Sequence, residues 1–197
     1  MSKSFKLLID SYLDNNVGQA EDFLDEALAL GLRERITSLQ SEEQFILAGT
    51  GNNSILKHDR SIRSDKIYWL DRKNKNPFEN RLLKLIDRFV IYLNSTCYTN
   101  IIAYEFHFAV YEEGSFYKRH LDVFKDNRQR AFSMIMYLNP EWKEGDGGEL
   151  CVYINDQPLK VAPLNRKAVF FKSSELEHEV LLSYKPRLSI TGWFKTR

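Results

Sequence analysis

The sequence has few cysteines and histidines, no long apolar run and almost no net charge. Its 197 residues include two cysteines and four histidines, and the formal net charge is +1. A chain this close to neutrality creates no long-range field, which argues against nucleic acid as a partner. No apolar stretch approaches the roughly 20 residues that span a bilayer, so we also expect no membrane partner.

The cysteines and the N-terminus point to an intracellular protein. Cys97 and Cys151 lack the spacing of a metal site, and we expect two reduced, buried thiols rather than a disulfide. The opening MSKSFKLLIDSYLDNN has aspartates within its apolar run and no small-residue cleavage site, unlike a signal peptide. We therefore expect a soluble, cytoplasmic protein.

Helical periodicity dominates the first half of the chain. FKLLIDSYL and LDEALALGLRERITSL repeat apolar residues at helical spacing, with Gly31 as a weak point in the second. NPFENRLLKLIDRFVIYLN begins with a cap-like Asn76-Pro77 and predicts a long amphipathic helix. Between them, GTGNNS (49–54) predicts a loop and KIYWL (66–70) a strand.

From residue 101 onward the pattern changes to period two. In IIAYEFHFAVY, Phe106 and Phe108 fall on one side of a strand, and His107 and Tyr111 on the other. Further short β-rich segments are FSMIMYL (132–138), ELCVYI (149–154), AVFF (168–171), EVLLS (179–183) and RLSITGWF (187–194). The order predicts an α+β fold in which helices pack on one face of a sandwich or barrel, a jelly roll among the options. We expect one domain over 1–197, with helical support over about 1–95 and the strand core over about 100–197.

The stretch YKRHLDVFKD contains a possible metal-binding pair. If it is a strand, His120 and Asp122 point to one face and can meet at one point. His178, at the start of a later strand, could supply a third ligand from across the mouth of a barrel. Two histidines and one carboxylate form the ligand set of non-haem Fe(II) oxygenases, although zinc accepts the same ligands. Read alone, the pattern also fits exposed polar residues near turns.

Arg187, in PRLSITGW, strengthens the metal interpretation. An arginine inside an apolar strand must bind an anion or reach solvent. Its guanidinium matches a carboxylate bidentately. If 2-oxoglutarate chelates iron through its 1-carboxylate and 2-oxo group, its distal carboxylate needs a cation deeper in the barrel, and Arg187 is placed for that role.

The segment from Ile62 to Trp193 resembles the 2-oxoglutarate- and Fe(II)-dependent prolyl hydroxylases, in the branch of the hypoxia-sensing enzymes and their bacterial relatives. The matching fragments are IRSDKIYWL, VYEEGSFYKRHLD, MYLNPEW, GGELCVY, His178 and RLSITGW. The resemblance implies a double-stranded β-helix (jelly roll) with N-terminal supporting helices. It also implies an enzyme that uses Fe(II), 2-oxoglutarate and O2, with ascorbate as reductant, to hydroxylate a proline of a translation-machinery or regulatory protein and to release succinate and CO2.

The resemblance implies roles for the matching residues at the iron and the cosubstrate. His120, Asp122 and His178 would be the iron ligands. Arg187 would pair with the distal carboxylate of 2-oxoglutarate, and Tyr137 would donate a hydrogen bond to it.

Further matching residues would shape the rest of the pocket. Tyr111 would lie near the iron-chelating end of the cosubstrate, and Thr191 would line the pocket. Asp65 would belong to an element that closes over bound substrate. The substrate side of the mouth would be shaped by Trp193, Tyr117 and Arg130. Taken without the resemblance, the tyrosines, Thr191, Trp193 and Arg130 would also fit ordinary strand or loop positions.

His107 departs from the family pattern, which has an apolar residue at that position. It fits either a satisfied core histidine or a hydrogen-bonding group near the iron, and it is not counted as a ligand. The YEEGSFY turn and the loop after IYWLDRK also differ from the family, so the substrate could instead be a lysyl residue, a small molecule or an alkylated nucleobase. The same ligand set would also fit a non-catalytic sensing module or a zinc hydrolase, although a hydrolase would leave Arg187 and Tyr137 without a task.

Overall fold

Helices occupy the first half of the chain and most strands the second, in a computed structural model that describes residues 3–49, 59–123 and 129–197. The helices are α1 (Lys3–Asn15), α2 (Glu26–Ser41) and α3 (Pro77–Thr96). The strands are β1 (Gly18–Ala20), β2 (Ile46–Leu47), β3 (Lys66–Trp69), β4 (Ala103–Tyr111), β5 (Tyr117–His120), β6 (Arg130–Tyr137), β7 (Leu150–Ile154), β8 (Gln157–Val161), β9 (Ala168–Lys172), β10 (His178–Val180) and β11 (Arg187–Lys195).

The start of α3 follows from its capping residues. The Asn76 side chain accepts a hydrogen bond from the backbone N–H of Phe78, and Pro77 takes the first helical position, where no N–H is needed. In α2, Gly31 does not interrupt the helix. A Cβ atom there would lie 2.2 Å from the Phe78 ring, so the expected weak point is a packing contact that allows α3 to approach.

The strands form two antiparallel sheets. The larger has the order β1-β9-β6-β11-β4-β3-β2, and the smaller β5-β10-β7-β8. A hydrophobic core that includes Phe89, Phe106 and Phe194 joins the helices to one face of the larger sheet. A second core, with Val152 and Phe171, lies between the sheets. This is the layering of a jelly roll, and the expected α+β class is confirmed.

Strands β4 and β11 form the floor on which a site can be built. They pair along their whole length, and residues directly opposite each other share a face of the sheet. The pairs on the face towards the smaller sheet are Tyr111–Arg187, Ala109–Ser189, His107–Thr191 and Glu105–Trp193. Phe106 and Phe108 belong to the core on the helical side, which confirms the predicted alternation.

Some local predictions differ from the structure. β10 ends at Val180, so EVLLS is only partly a strand. Of GTGNNS, only Gly49 falls within the described residues. Both cysteines are free thiols, but Cys97 is exposed rather than buried. None of the helices in the described part of the chain is both long and apolar enough to cross a membrane.

Candidate active site

His120 and His178 are direct neighbours across two paired strands. β5 and β10 are antiparallel partners in the smaller sheet, and His178 lies opposite His120. The centres of the two imidazole rings are 4.3 Å apart. The expectation that the two histidines would meet across the mouth of a barrel is therefore wrong, because they lie side by side in one sheet.

Asp122 completes the cluster from beyond the end of β5. It lies in a bend two residues after His120, not within a strand as expected. One carboxylate oxygen is 3.6 Å from His120 Nε2, and the second is 3.4 Å from His178 Nε2. Ser133 donates a hydrogen bond of 2.6 Å to the carboxylate, and Ser173 lies 2.8 Å from the Ser133 hydroxyl. This chain of hydroxyls fixes the orientation of the carboxylate.

The two imidazoles present lone pairs to Asp122. Nδ1 of His120 is 2.7 Å from the carbonyl oxygen of Lys118, and Nδ1 of His178 is 3.2 Å from that of Leu176. Because a carbonyl oxygen only accepts, each Nδ1 carries a proton, and in the neutral ring Nε2 is the nitrogen that keeps the lone pair. The donor atoms of the three residues all lie within 4.8 Å of one another. Two imidazole nitrogens and a carboxylate gathered this closely form a donor set that suits a metal ion.

Burial and neighbouring charges set the protonation of these groups. Burial alone would raise the pKa of Asp122, but the charges of His178 and His120 and the hydrogen bond from Ser133 hold that pKa well below its usual range. Burial, with the neighbouring charge of His120, lowers the pKa of His178 to about 4. Near neutral pH Asp122 is therefore ionised and His178 neutral, which are the forms that bind metals.

A cavity of about 300 Å³ opens beside these three residues. His120 and His178 line it from the smaller sheet, and β4 and β11 line it from the larger one. At one end of this floor is Arg187, and four residues along β11 is Thr191, a separation of roughly 13 Å. The cavity is thus long enough to hold groups at both ends.

Arg187 is a buried cation in the cavity wall, with only 2% of its surface exposed. Nη1 donates to the Ser189 hydroxyl at 3.1 Å, whereas Nε has no hydrogen-bond partner among the described residues. The guanidinium carbon lies 4.7 Å from the ring centre of Tyr111 and 5.1 Å from that of Tyr137. The buried Tyr137 hydroxyl also lacks a partner within the described ranges. A cation and a hydroxyl donor together form a receptor for a carboxylate.

Comparison with known proteins identifies the family. Residues 106–195 match the 2OG-Fe(II) oxygenase superfamily. A prolyl-4-hydroxylase of Pseudomonas putida superposes with a TM-score of 0.87 and 31% identity, over 98% of this chain and 99% of that one. Prolyl hydroxylase EGLN3 of Mus musculus is 30% identical over 93% of this chain and 77% of its own length. The chain belongs to the prolyl hydroxylase family of 2-oxoglutarate- and Fe(II)-dependent oxygenases.

Family membership confirms the resemblance seen in the sequence and the jelly-roll fold that it implied. As a family member the chain is a 2-oxoglutarate-dependent dioxygenase, and the family uses Fe(II), 2-oxoglutarate and O2. The hypoxia-inducible factor prolyl hydroxylase of Caenorhabditis elegans is 30% identical over 70% of this chain. That relative and the prolyl 3-hydroxylase OGFOD1 of Xenopus laevis are much longer, and this chain matches 20% and 15% of their lengths.

The residues of the cavity fit the cofactor and cosubstrate of this family. The triad offers two nitrogen donors and one carboxylate, the set that suits Fe(II) with open positions. Arg187 would hold the second carboxylate of a dicarboxylate such as 2-oxoglutarate. Two small residues, Ala109 and Ser189, face each other between Arg187 and Thr191.

Most of the remaining residues singled out in the sequence also line the cavity, namely Tyr111, Tyr117, Arg130, Thr191 and Trp193. Arg130 is not a solvated loop charge, because it donates to Glu105 through two nitrogens, at 3.0 and 2.8 Å. Its guanidinium carbon lies 3.5 Å from the Trp193 ring centre. Tyr117 stacks on His120 with ring centres 3.6 Å apart.

Two of the predicted residues, Tyr137 and Asp65, lie directly behind residues of the cavity wall. Tyr137 is fully buried beside Arg187. Asp65 is also buried and accepts two hydrogen bonds from Arg63, at 2.8 and 2.7 Å. Arg63 does line the cavity, and its guanidinium carbon lies 4.1 Å from the ring centre of Tyr117.

Sequence reasoning missed Arg63, Ser133 and Glu105. Arg63 and Asp65 are two apart in IRSDK, a spacing that places opposite charges on one side of an extended chain and could have indicated the pair. Ser133 is a polar residue within the apolar strand FSMIMYL, which was also a signal. Glu105 lies on the predicted inner face of β4, but its partner Arg130 is distant in sequence.

Proposed function

We propose that this protein hydroxylates a prolyl residue of a protein substrate, using Fe(II), 2-oxoglutarate and O2 and releasing succinate and CO2. His120, Asp122 and His178 hold the iron, and Arg187 and Tyr137 hold the far carboxylate of 2-oxoglutarate. The observation that carries the proposal is that two features meet at one cavity. His120, Asp122 and His178 approach it from the side of the smaller sheet, and Arg187, whose guanidinium Nε has no hydrogen-bond partner among the described residues, lies on the larger sheet. The iron, when bound, supplies the oxidising chemistry that no protein side chain provides.

The residues of the chain orient the metal ligands and the cosubstrate. The carbonyls of Lys118 and Leu176 keep both imidazoles in the metal-binding tautomer, and Ser133 orients the carboxylate of Asp122. The buried Arg187 orients the cosubstrate, because a guanidinium fork fixes a carboxylate in one plane.

The proposed prolyl substrate rests on the relatives and on the mouth of the cavity. The Pseudomonas putida and Mus musculus relatives are named as prolyl hydroxylases, and the Caenorhabditis elegans relative is named for a protein factor. Trp193, at the end of the cavity away from Arg187, and Tyr117 both line the cavity with aromatic rings, a surrounding that suits the apolar ring of a proline, and Arg130 braces Trp193.

The test is succinate formation by purified protein loaded anaerobically with Fe(II) and then given 2-oxoglutarate, ascorbate and O2. We would run it alone, with proline-containing loop peptides and with lysate proteins, and detect the gain of one oxygen atom by mass spectrometry. Asp122→Asn removes the charged ligand at nearly constant size, and we expect no turnover. Asp10→Asn is the matched control, because Asp10 lies on the exposed side of α1 and pairs with Lys6.

Each competing function predicts its own result. If succinate formation rises with lysyl peptides, small molecules or alkylated nucleobases, but not with prolyl peptides, the substrate belongs to that other class and is not a prolyl residue. Protein that binds Fe(II) and 2-oxoglutarate but never forms succinate would be a sensing module. Hydrolysis with bound zinc would indicate a hydrolase.

Three further expectations stay predictions. They are the organisation of residues 1–197 as one domain, the cytoplasmic location and ascorbate as the reductant. A partner in the translation machinery or among regulatory proteins is likewise a prediction, which the mass spectrometry of lysate proteins tests.

A further inference from the structure

His107 lies in the cavity wall at the end away from Arg187. On β4 it is opposite Thr191 of β11 and Trp69 of β3. Arg187 is opposite Tyr111, four residues further along β4, which is roughly 13 Å away. His107 therefore sits beside the aromatic mouth and not beside the cation that would hold the cosubstrate.

The His107 ring is buried but not satisfied. Only 3% of the residue is exposed, and Nδ1 has no hydrogen-bond partner within the described ranges. The ring contacts Trp69, at 4.9 Å between ring centres, and Trp193, at 5.4 Å, and these two indoles also contact each other, at 6.2 Å. Leaving a polar group of this kind without a partner costs free energy, which a bound ligand can recover.

The charge state of His107 restricts the kind of partner. Burial, reinforced by the positive charges of Arg63 and Arg130, lowers the pKa of His107 to about 3. The imidazole is therefore neutral under physiological conditions and offers one donor and one acceptor. Arg63 pairs with Asp65, and Arg130 pairs with Glu105, so the charges around His107 are already balanced. A neutral polar group is therefore the partner that suits this position.

His107 is also outside the metal cluster. Among the residues that the structure describes, the group able to hold a metal consists of His120, Asp122 and His178, without His107. His107 is thus placed to hold neither the metal nor the far carboxylate of the cosubstrate.

We propose that His107 is a specificity residue that forms a hydrogen bond with a backbone amide or carbonyl of the polypeptide bound at the Trp193 end of the cavity. This inference rests on the proposed function, because it requires a peptide substrate. An apolar side chain at position 107 would leave that peptide group desolvated and unpaired, and glutamine, which also carries a donor and an acceptor, would preserve the contact.

The test compares His107→Leu with His107→Gln. The probe is a prolyl peptide with which the wild type forms succinate, and its binding is measured by calorimetry to protein loaded with Mn(II) and 2-oxoglutarate under nitrogen. We expect His107→Leu to weaken peptide binding about tenfold, the size of one lost hydrogen bond to an otherwise desolvated group. Affinity for 2-oxoglutarate should stay within about twofold, and His107→Gln should recover most of the peptide affinity.

The outcomes separate this inference from the proposed function. Equal peptide affinity in the wild type and in His107→Leu, or an equal loss of 2-oxoglutarate affinity, would overturn the role of His107 while leaving prolyl hydroxylation intact. A wild type that neither binds nor hydroxylates any prolyl peptide would overturn the proposed function and this inference with it. Thermal unfolding of each variant shows that it is folded before binding is compared.

Discussion

Replacing Arg187 by methionine should weaken 2-oxoglutarate binding and at the same time stabilise the ligand-free protein. Two charge-assisted hydrogen bonds to a carboxylate contribute about 1.5–3 kcal/mol each. Their loss corresponds to roughly 10²–10⁴ in Kd. Methionine fills a similar length of the cavity wall, so the effect reports the lost charge and donors more than lost packing.

The opposite effect on stability follows from the burial of the guanidinium. Within the described residues, the partners of Arg187 are the Ser189 hydroxyl and the faces of Tyr111 and Tyr137. Aromatic faces return part of the desolvation cost of a buried cation but not all of it. We expect the free energy of unfolding to rise by roughly 1–3 kcal/mol in Arg187→Met, which is about 2–12 °C in Tm for a chain of this size.

Calorimetric melting with Mn(II), under nitrogen and with or without 2-oxoglutarate, measures both effects. At a concentration about 100 times the wild-type Kd, the cosubstrate should add about 2.7 kcal/mol to the wild type and at most about 0.4 kcal/mol to Arg187→Met. Arg187→Lys keeps the charge without the fork and should bind with intermediate affinity. Arg81→Met is the control, because Arg81 is exposed and pairs with exposed Asp25. A variant that melts below the wild type and is still stabilised by 2-oxoglutarate would refute the assignment.

Asp122→Asn should lower Mn(II) affinity by at least about 100-fold in calorimetric titration without lowering Tm, since the ligand set loses its only charge; unchanged Mn(II) affinity would contradict the triad. Ser133→Ala should lower Mn(II) affinity by about 10–100-fold and Ser173→Ala by less, because Ser133 contacts the Asp122 carboxylate directly and Ser173 acts on it through Ser133. Equal losses would contradict a special role for the direct contact. The pKa of His107 falls from 6.5 to about 3 on folding, so the unfolded chain binds more protons between these values and stability falls as the pH drops. Between about pH 7.5 and 5, His107 should lower the free energy of unfolding by about 2 kcal/mol. Urea unfolding of His107→Leu should lack this decrease. Parallel pH profiles of the wild type and the variant would show that His107 is not buried as a neutral ring.

Features that depend on local pattern could be predicted from the sequence. The two faces of β4 follow from strict alternation, which placed His107 and Tyr111 on the cavity side before any pairing was known. The start of α3 follows from Asn76-Pro77, and the start of β10 at His178 follows from the polar turn before it. In each case the signal lies within one short, continuous segment of the chain.

Features that depend on pairing between distant segments could not be predicted in the same way. β5 is four residues long, largely polar and partly exposed, so nothing in YKRH indicates that it pairs with β10. The adjacency of His120 and His178 is a consequence of that pairing. Asp122 reaches the histidines because the chain bends after β5. The spacing of apolar residues in the sequence does not indicate this bend.

Three residues at or beside the site share a property that the sequence does show, which is that they break the apolar pattern of strands facing the interior. Ser133 interrupts the apolar residues of β6, Arg187 opens β11, and His107 interrupts the aromatic residues of β4. Ser133 forms hydrogen bonds with a carboxylate and with the Ser173 hydroxyl, whereas tyrosine faces and tryptophan rings reduce the cost of burying Arg187 and His107 only in part. A fold optimised for stability alone would fill these positions with apolar side chains. Under the proposed roles, binding of a cation, a dicarboxylate and a polar substrate group would offset the cost of burying them, and the three violations of the pattern would mark the three parts of one binding site.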